Sequence, residues 1–187
     1  MKQSKTKQHI VKTASKLFYS QGYNRTGINQ IIKEAAIAKA TLYSHFASKE
    51  EICVAYLQYK NKYFSREIQK FCRSKPKGKA QILALFEFLN AFFQKKEFNG
   101  CWCINTLAEI PKDNKLILCE IKSQKNAFYD FINALVLENF KEINKEKAST
   151  LGKQIYLLYE SASAESYLHQ SEWPITTMKK LSEQLIS

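Results

Sequence analysis

Residues 39–49 read KATLYSHFASK, and Lys39, Ala40, Thr41, Tyr43, Ser44, His45 and Lys49 gather cationic, hydroxyl and aromatic groups into one short stretch. Lysines at both ends of such a segment can neutralise phosphates. Tyr43 carries a hydroxyl on a rigid arm and a ring face suited to a thymine methyl. His45 can donate to a phosphate oxygen. Base readout would fall mainly to Lys39, Ala40, Thr41 and Tyr43, while the other contacts fix position. Upstream, Thr26 and Gly27 stand where a helix should open, and its first-turn amides could hold another phosphate.

Elements that could position this set are visible in the hydrophobic periodicity. Ile10, Ala14, Leu17 and Phe18 repeat at helical spacing, and Gly22 follows as a cap. Thr26 is expected to accept from a free amide and open a second helix that buries Ile28, Ile31, Ile32 and Ala35. A break at Ala36–Ala38 precedes a short third helix, about 39–45, with Leu42 and Phe46 facing inward. Three helices with a tight turn between the second and third make a helix-turn-helix module, whose third helix enters a major groove.

Ser48 and Glu51 form a capping-box signature. The helix they open is expected to run to about Arg73 and to bury Ile52, Ala55, Tyr56, Tyr59 and Tyr63. SKPKG at 74–78 breaks it. Further helices are expected at about 79–95, 102–110, 114–141, 146–169 and 174–186. The fold class is therefore all-α. It comprises a helix-turn-helix domain at 1–50 and a helical ligand-binding and dimerisation domain at 51–187.

Charge agrees with the polyanion chemistry. The 187 residues carry a net +12, and residues 1–50 hold nine Lys/Arg against two Asp/Glu, a net of +7. On charge alone a solubilising surface is the leading reading. The sequence predicts no signal peptide and no apolar run near the ~20 residues of a membrane span. Five cysteines without a CxxC argue against a disulfide framework and for a reducing cytoplasm. Cys101 and Cys103 flank Trp102; a thiol switch or half a metal site competes there with burial as small apolar groups, and burial is favoured. No metal site or cofactor is expected. Nor is an enzyme, since no Gly-rich phosphate loop or nucleophile–base set appears.

Residues 10–57 resemble the DNA-binding domain of the TetR family of bacterial transcription regulators. Ala14, Leu17–Phe18, Gly22–Tyr23, Thr26, Ile28, Ile31, Ala35, Ile37, Lys39, Thr41–Tyr43, His45–Phe46 and Ser48–Glu51 carry the match, and NGCWCINTLAEIP at 99–111 is similar to a segment of some members' ligand-binding domains. The chain departs from the family pattern with Ala36, Ala38 and Ala40 where glycine, serine or threonine, and glycine are usual. The resemblance implies a homodimer through the last two helices, double-stranded DNA with a palindromic operator as partner, and repression relieved by a small-molecule effector in the carboxy-terminal domain. Phe86, Phe93, Trp102, Phe128 and Tyr159 are candidate lining for that effector, set against a plain aromatic core. Other readings are a helical carrier or enzyme with an incidental basic surface, and an inducer-independent nucleoid-organising DNA binder.

Overall fold

The computed structural model describes residues 4–140 and 142–186. Among these residues the chain forms nine helices and no strand. They are α1 Lys5–Gln21, α2 Ile28–Glu34, α3 Lys39–Tyr43, α4 Lys49–Arg73, α5 Lys79–Phe93, α6 Trp102–Glu109, α7 Lys115–Asn139, α8 Lys145–His169 and α9 Trp173–Leu185. The expected all-helical order holds, and the helix ends fall close to the positions that periodicity predicted. None of these helices is long and apolar enough to cross a membrane.

Two compact units arise. The first comprises the residues up to Tyr63 with Trp102–Gln124; the second comprises Phe64–Cys101 with the residues from Lys125 onward. Helices α4 and α7 each contribute to both. In the first unit Ile10, Ala14, Phe18, Ile31, Ala35, Leu42, Phe46, Ile52 and Tyr56 are buried. The helical repeat places one side of α1, α2 and α4 against the side chains below α3, so burial of apolar area holds the module together. In the second unit Ile68, Ile82, Leu85, Phe86, Leu89, Ile132, Leu135, Ile155 and Ile175 share one core.

Local chemistry explains the element ends. Ser4 accepts from the Lys7 amide at 3.1 Å and opens α1. Gly22, at φ +90, ends it and returns its amide to the Phe18 carbonyl. At α4 the Ser48 half of the capping box forms, Ser48 Oγ accepting from the Glu51 amide at 3.3 Å, while Glu51 Oε2 accepts one residue earlier than expected, from the Ala47 amide at 2.8 Å. One expected stripe is corrected. Tyr63 is exposed, because α4 has turned its face outward by that point. On α9, Ile175 and Met178 face the core of this chain, while Leu181 and Leu185 are exposed.

The turn between α2 and α3 demands an uncommon backbone. Ala36 sits at φ +49, the left-handed region, where an L-residue's Cβ crowds the backbone. Glycine is the usual solution. Ala36 is exposed and contributes no core packing. Ala36→Gly should therefore raise stability by about 1 kcal/mol, the removed strain exceeding the added freedom of the unfolded chain. A urea midpoint that rises without a change in slope checks this; a midpoint that falls would show the strain to be absent.

Candidate nucleic-acid interface

Helix α3 has only five residues, too few to stand alone. Leu42 and Phe46 are buried beneath it and fix it to the module. The same rotation turns Lys39, Ala40, Tyr43 and Ser44 to solvent, with Thr41 and His45 half-buried at the edges. Tyr43 is 46% exposed, a large aromatic ring left outside a core that had room for many. Ser44 donates its hydroxyl to the Thr41 carbonyl at 2.8 Å and so closes the helix end. No side chain caps the α3 start at Ala38.

Flanking elements add positive charge. Lys12, Lys16, Arg25 and Lys33 are exposed on α1, the α1–α2 turn and α2. Lys7 lies 4.9 Å from the centroid of the Phe46 ring, a cation–π contact from α1 to the residue below α3. His9 hydrogen-bonds the Ala35 carbonyl at 3.0 Å and ties α1 to the end of α2.

Lys49 is held differently from Lys39. Its ammonium lies 4.1 Å from the centroid of the Tyr23 ring, and the Tyr23 hydroxyl donates to Glu50 at 3.4 Å. Burial lowers the Lys49 pKa, while Cys53, Glu50 and Glu109 pull it back up. The Glu50 carboxyl is held below its ordinary value, first by the Ser48 hydroxyl. Burial pushes the neighbouring Cys53 thiol up to about 12, leaving it protonated and inert. The start of α4 is thus a preassembled charge cluster packed on Tyr23.

Thr26 corrects the sequence reading. It is fully buried, and its hydroxyl donates back to the Gly22 carbonyl at 2.8 Å while accepting from the Gln21 side chain at 3.2 Å. The residue that caps α2 is Gly27, with no side-chain bond. The threonine ties the α1–α2 turn from inside, and Gly27 alone of the pair is exposed. Sequence patterns did not register Gln21, which also donates to Gln30 Oε1 at 2.7 Å and joins α1 to α2. Polar residues at helix ends carry no periodic signal, so nothing in the sequence pointed to that pair.

The candidate effector residues separate. Phe86, Phe128 and Tyr159 come together in the second unit: the Phe128 and Tyr159 rings lie 4.9 Å apart and those of Phe86 and Tyr159 6.1 Å apart. Phe93 lies against Phe98 at 5.3 Å, a ring that also meets Phe92 and Tyr167 and, among the described residues, not Phe86, Phe128 or Tyr159. Trp102 belongs to the first unit, where its indole donates to Gln124 Oε1 at 3.3 Å. Glu109 and Glu120 are both engaged: Glu120 accepts from Gln58 and Gln124, and Glu109 from Asn24. Cys103 is buried beside Gln124, and the Cys101 sulfur accepts from Lys125 at 3.1 Å. Glu160 pairs with the same Lys125 ammonium.

Residues 10–56 match the family model described as bacterial regulatory proteins, tetR family. An uncharacterized HTH-type transcriptional regulator of Bacillus subtilis, YuxN, is 33% identical over 156 residues, covering 82% of this chain and 51% of that protein. The HTH-type transcriptional repressor NemR of Escherichia coli is 27% identical over 107 residues, covering 56% of this chain and 54% of NemR. The chain spans about half the length of these curated relatives. Among solved structures, SCO4454, a TetR-family transcriptional regulator from Streptomyces coelicolor, superposes with a TM-score of 0.87 at 24% identity over 98% of this chain and 95% of that one. The reduced form of Escherichia coli NemR gives 0.81 at 20% identity, with 97% of each chain covered. These likenesses show that the fold is shared along nearly the whole chain.

The inward placement of Thr26 gives it a measurable structural task. Thr26→Val keeps the shape but removes the hydroxyl that donates to the Gly22 carbonyl, while the Gln21 amide keeps Gln30. It should destabilise the protein by about 1–3 kcal/mol, measured by urea unfolding. A loss below a few tenths would show that water substitutes at the turn.

Proposed function

We propose that this chain, which belongs to the TetR family, is a cytoplasmic dimeric transcription regulator that represses from a palindromic operator and is released by a small-molecule effector. One observation carries the reading: a five-residue helix pinned by buried Leu42 and Phe46 presents Lys39, Ala40 and Tyr43 outward on a cationic module. A helix so short can reach only a few base edges, so tight specific binding needs two modules about one turn of duplex, ~34–36 Å, apart. Gly27 and the first amides of α2 supply a phosphate contact beside Lys39, Thr41, Tyr43, Ser44, His45 and Lys49.

The second copy has a surface to use. Along α8, Leu157 and Leu168 are 64% and 71% exposed, and Tyr167 stands beside them; on α9, Trp173, Leu181 and Leu185 are exposed too. Leucines eleven positions apart fall on one side of a helix after three turns. A large apolar stripe left open on both terminal helices is what a four-helix interface with a mate would cover. Continuity of α4 from Lys49 to Arg73 supports the coupling, because the helix that begins at the interface contributes to both units. An effector bound in the second unit acts by favouring one of two arrangements of that helix. Phe86, Phe93, Phe128 and Tyr159 are the proposed aromatic wall.

Enrichment of duplexes from a random library should yield an inverted repeat. Tyr43→Ala should weaken the enriched duplex tenfold or more, by about 1–3 kcal/mol, with little change for a scrambled one. Lys39→Ala should weaken both and lower the salt slope by about 1. Equal effects of the two changes on both duplexes would reject the division of roles. Leu157→Glu with Leu168→Glu should sediment as a monomer and lose the inverted repeat while retaining helical content. A double variant that still sediments as a dimer would move the interface elsewhere.

A further inference from the structure

The α1–α2 turn is tied internally by several hydrogen bonds. Gly22 donates to Phe18, the Thr26 amide to the Tyr23 carbonyl, and the Thr26 hydroxyl to the Gly22 carbonyl. Asn24 is tied from outside the module. Its amide donates to Glu109 Oε2 at 2.7 Å, and its side-chain Nδ2 donates to the Glu109 carbonyl at 2.9 Å. One residue, 85 positions later, holds the turn through both its carboxylate and its main chain.

Three features mark this clamp as built. First, Glu109 is the last residue of α6, where a carboxylate opposes the negative end of the helix dipole. Glutamate is a poor choice there on helix grounds alone, and the bond to Asn24 supplies the compensating interaction. Second, the Asn24 side chain satisfies the carbonyl that a helix leaves open at its end. Third, the carboxylate lies directly against Gly22. A Cβ on Gly22 would lie 2.8 Å from Glu109 Oε2 and closer still to Oε1, so the carboxylate would have to move off the Asn24 amide. Gly22 thus supplies the φ of +90 and also leaves room for the clamp.

The other end of α6 is anchored as firmly. Trp102 and Cys103 both donate to Gln124 Oε1, Gln124 donates to Glu120, and Gln58 of α4 donates to Glu120 at 3.0 Å. Helix α6 thus runs as a strut from the α7 network to the turn that precedes α2. Hydrogen bonds of this kind weaken steeply with an ångström of displacement. Both Asn24 bonds end on a single residue, so a small shift of α6 breaks them together.

We propose that Glu109 is a positioning residue for the nucleic-acid interface. It sets the α1–α2 turn, and with it the start of α2, from α6. Parting of the two Asn24 bonds is the step that lowers affinity for the operator. This rests on the DNA-binding reading above.

The test uses the full chain and the duplex enriched by the wild-type protein. Glu109→Ala should weaken that duplex about tenfold, leave a scrambled duplex within twofold, and speed exchange of the Asn24 amide hydrogen at least tenfold. Glu109→Gln, whose side-chain oxygen still accepts from the amide, should restore most of the affinity and protection. Asn24→Ala, which removes one of the two bonds and should not disturb the core, should fall between. Enriched-duplex affinity within twofold of wild type for both Glu109→Ala and Asn24→Ala would overturn the proposal, as would unchanged exchange in Glu109→Ala. A glutamine variant as defective as the alanine one would also overturn it, by assigning the effect to charge. If the wild-type protein enriches no duplex, the functional reading fails by itself, and amide exchange still decides whether the clamp holds the turn.

Discussion

Burial of Leu42 and Phe46 beneath a five-residue helix is the constraint on which the interface depends. An isolated helix of that length is unstable in water, since nucleation alone exceeds what its few hydrogen bonds return. Its conformation is therefore borrowed from the packing below. Because Leu42 and Phe46 are four positions apart they fall on one side, and the rotation that buries them leaves Tyr43 and Ser44 no choice but to face out. Exposure of Tyr43 is a consequence of register. It follows that a change in how α2 or α4 meets these two side chains re-aims every outward group at once.

Much of this was legible from the residue pattern. The helix-turn-helix follows from apolar spacing at Ile10, Ala14 and Phe18, at Ile31 and Ala35, and at Leu42 and Phe46, all of which are buried. The capping box at Ser48 and the breaks at Gly22, Ala36 and SKPKG carry their own local chemistry. Thr26 was misread for a physical reason. A threonine before a helix can accept from an amide ahead or donate to a carbonyl behind, and the sequence does not choose between them. Here the Gly22 carbonyl lies within reach, and Gly27 is left to cap α2. Long-range polar pairs were illegible altogether: Asn24 and Glu109 lie 85 positions apart, and neither belongs to a periodic stripe.

Aromatic content allows two readings, a ligand lining and a plain core. Among the twelve phenylalanines, Phe64 sits against Phe88, Phe92 and Phe128 at 5.6–6.4 Å, in the edge-on geometry of a packed interior. Tyr159 is buried beside Phe86 and Phe128, and burial holds its hydroxyl protonated. An effector would have to part these rings, so occupancy would cost contacts that the empty state enjoys. That is a form of differential affinity: a ligand matched to the parted arrangement binds one state and not the other.

Transmission then needs elements that cannot deform smoothly. Helices α4 and α7 both continue from one unit into the other, and α6 is fastened to α7 at one end and to the α1–α2 turn at the other. A helix moves as a rod, because stretching it breaks its own ladder before its ends part. Displacement at the α7 network is therefore delivered to Asn24 or relieved by losing the Gln124 and Glu120 bonds. Gln124 is buried and serves Trp102, Cys103 and Glu120 together, whereas Asn24 is exposed, where water can take over its bonds. The weaker end of the strut is therefore the one at the α1–α2 turn, and the proposed parting of the Asn24 bonds would occur there.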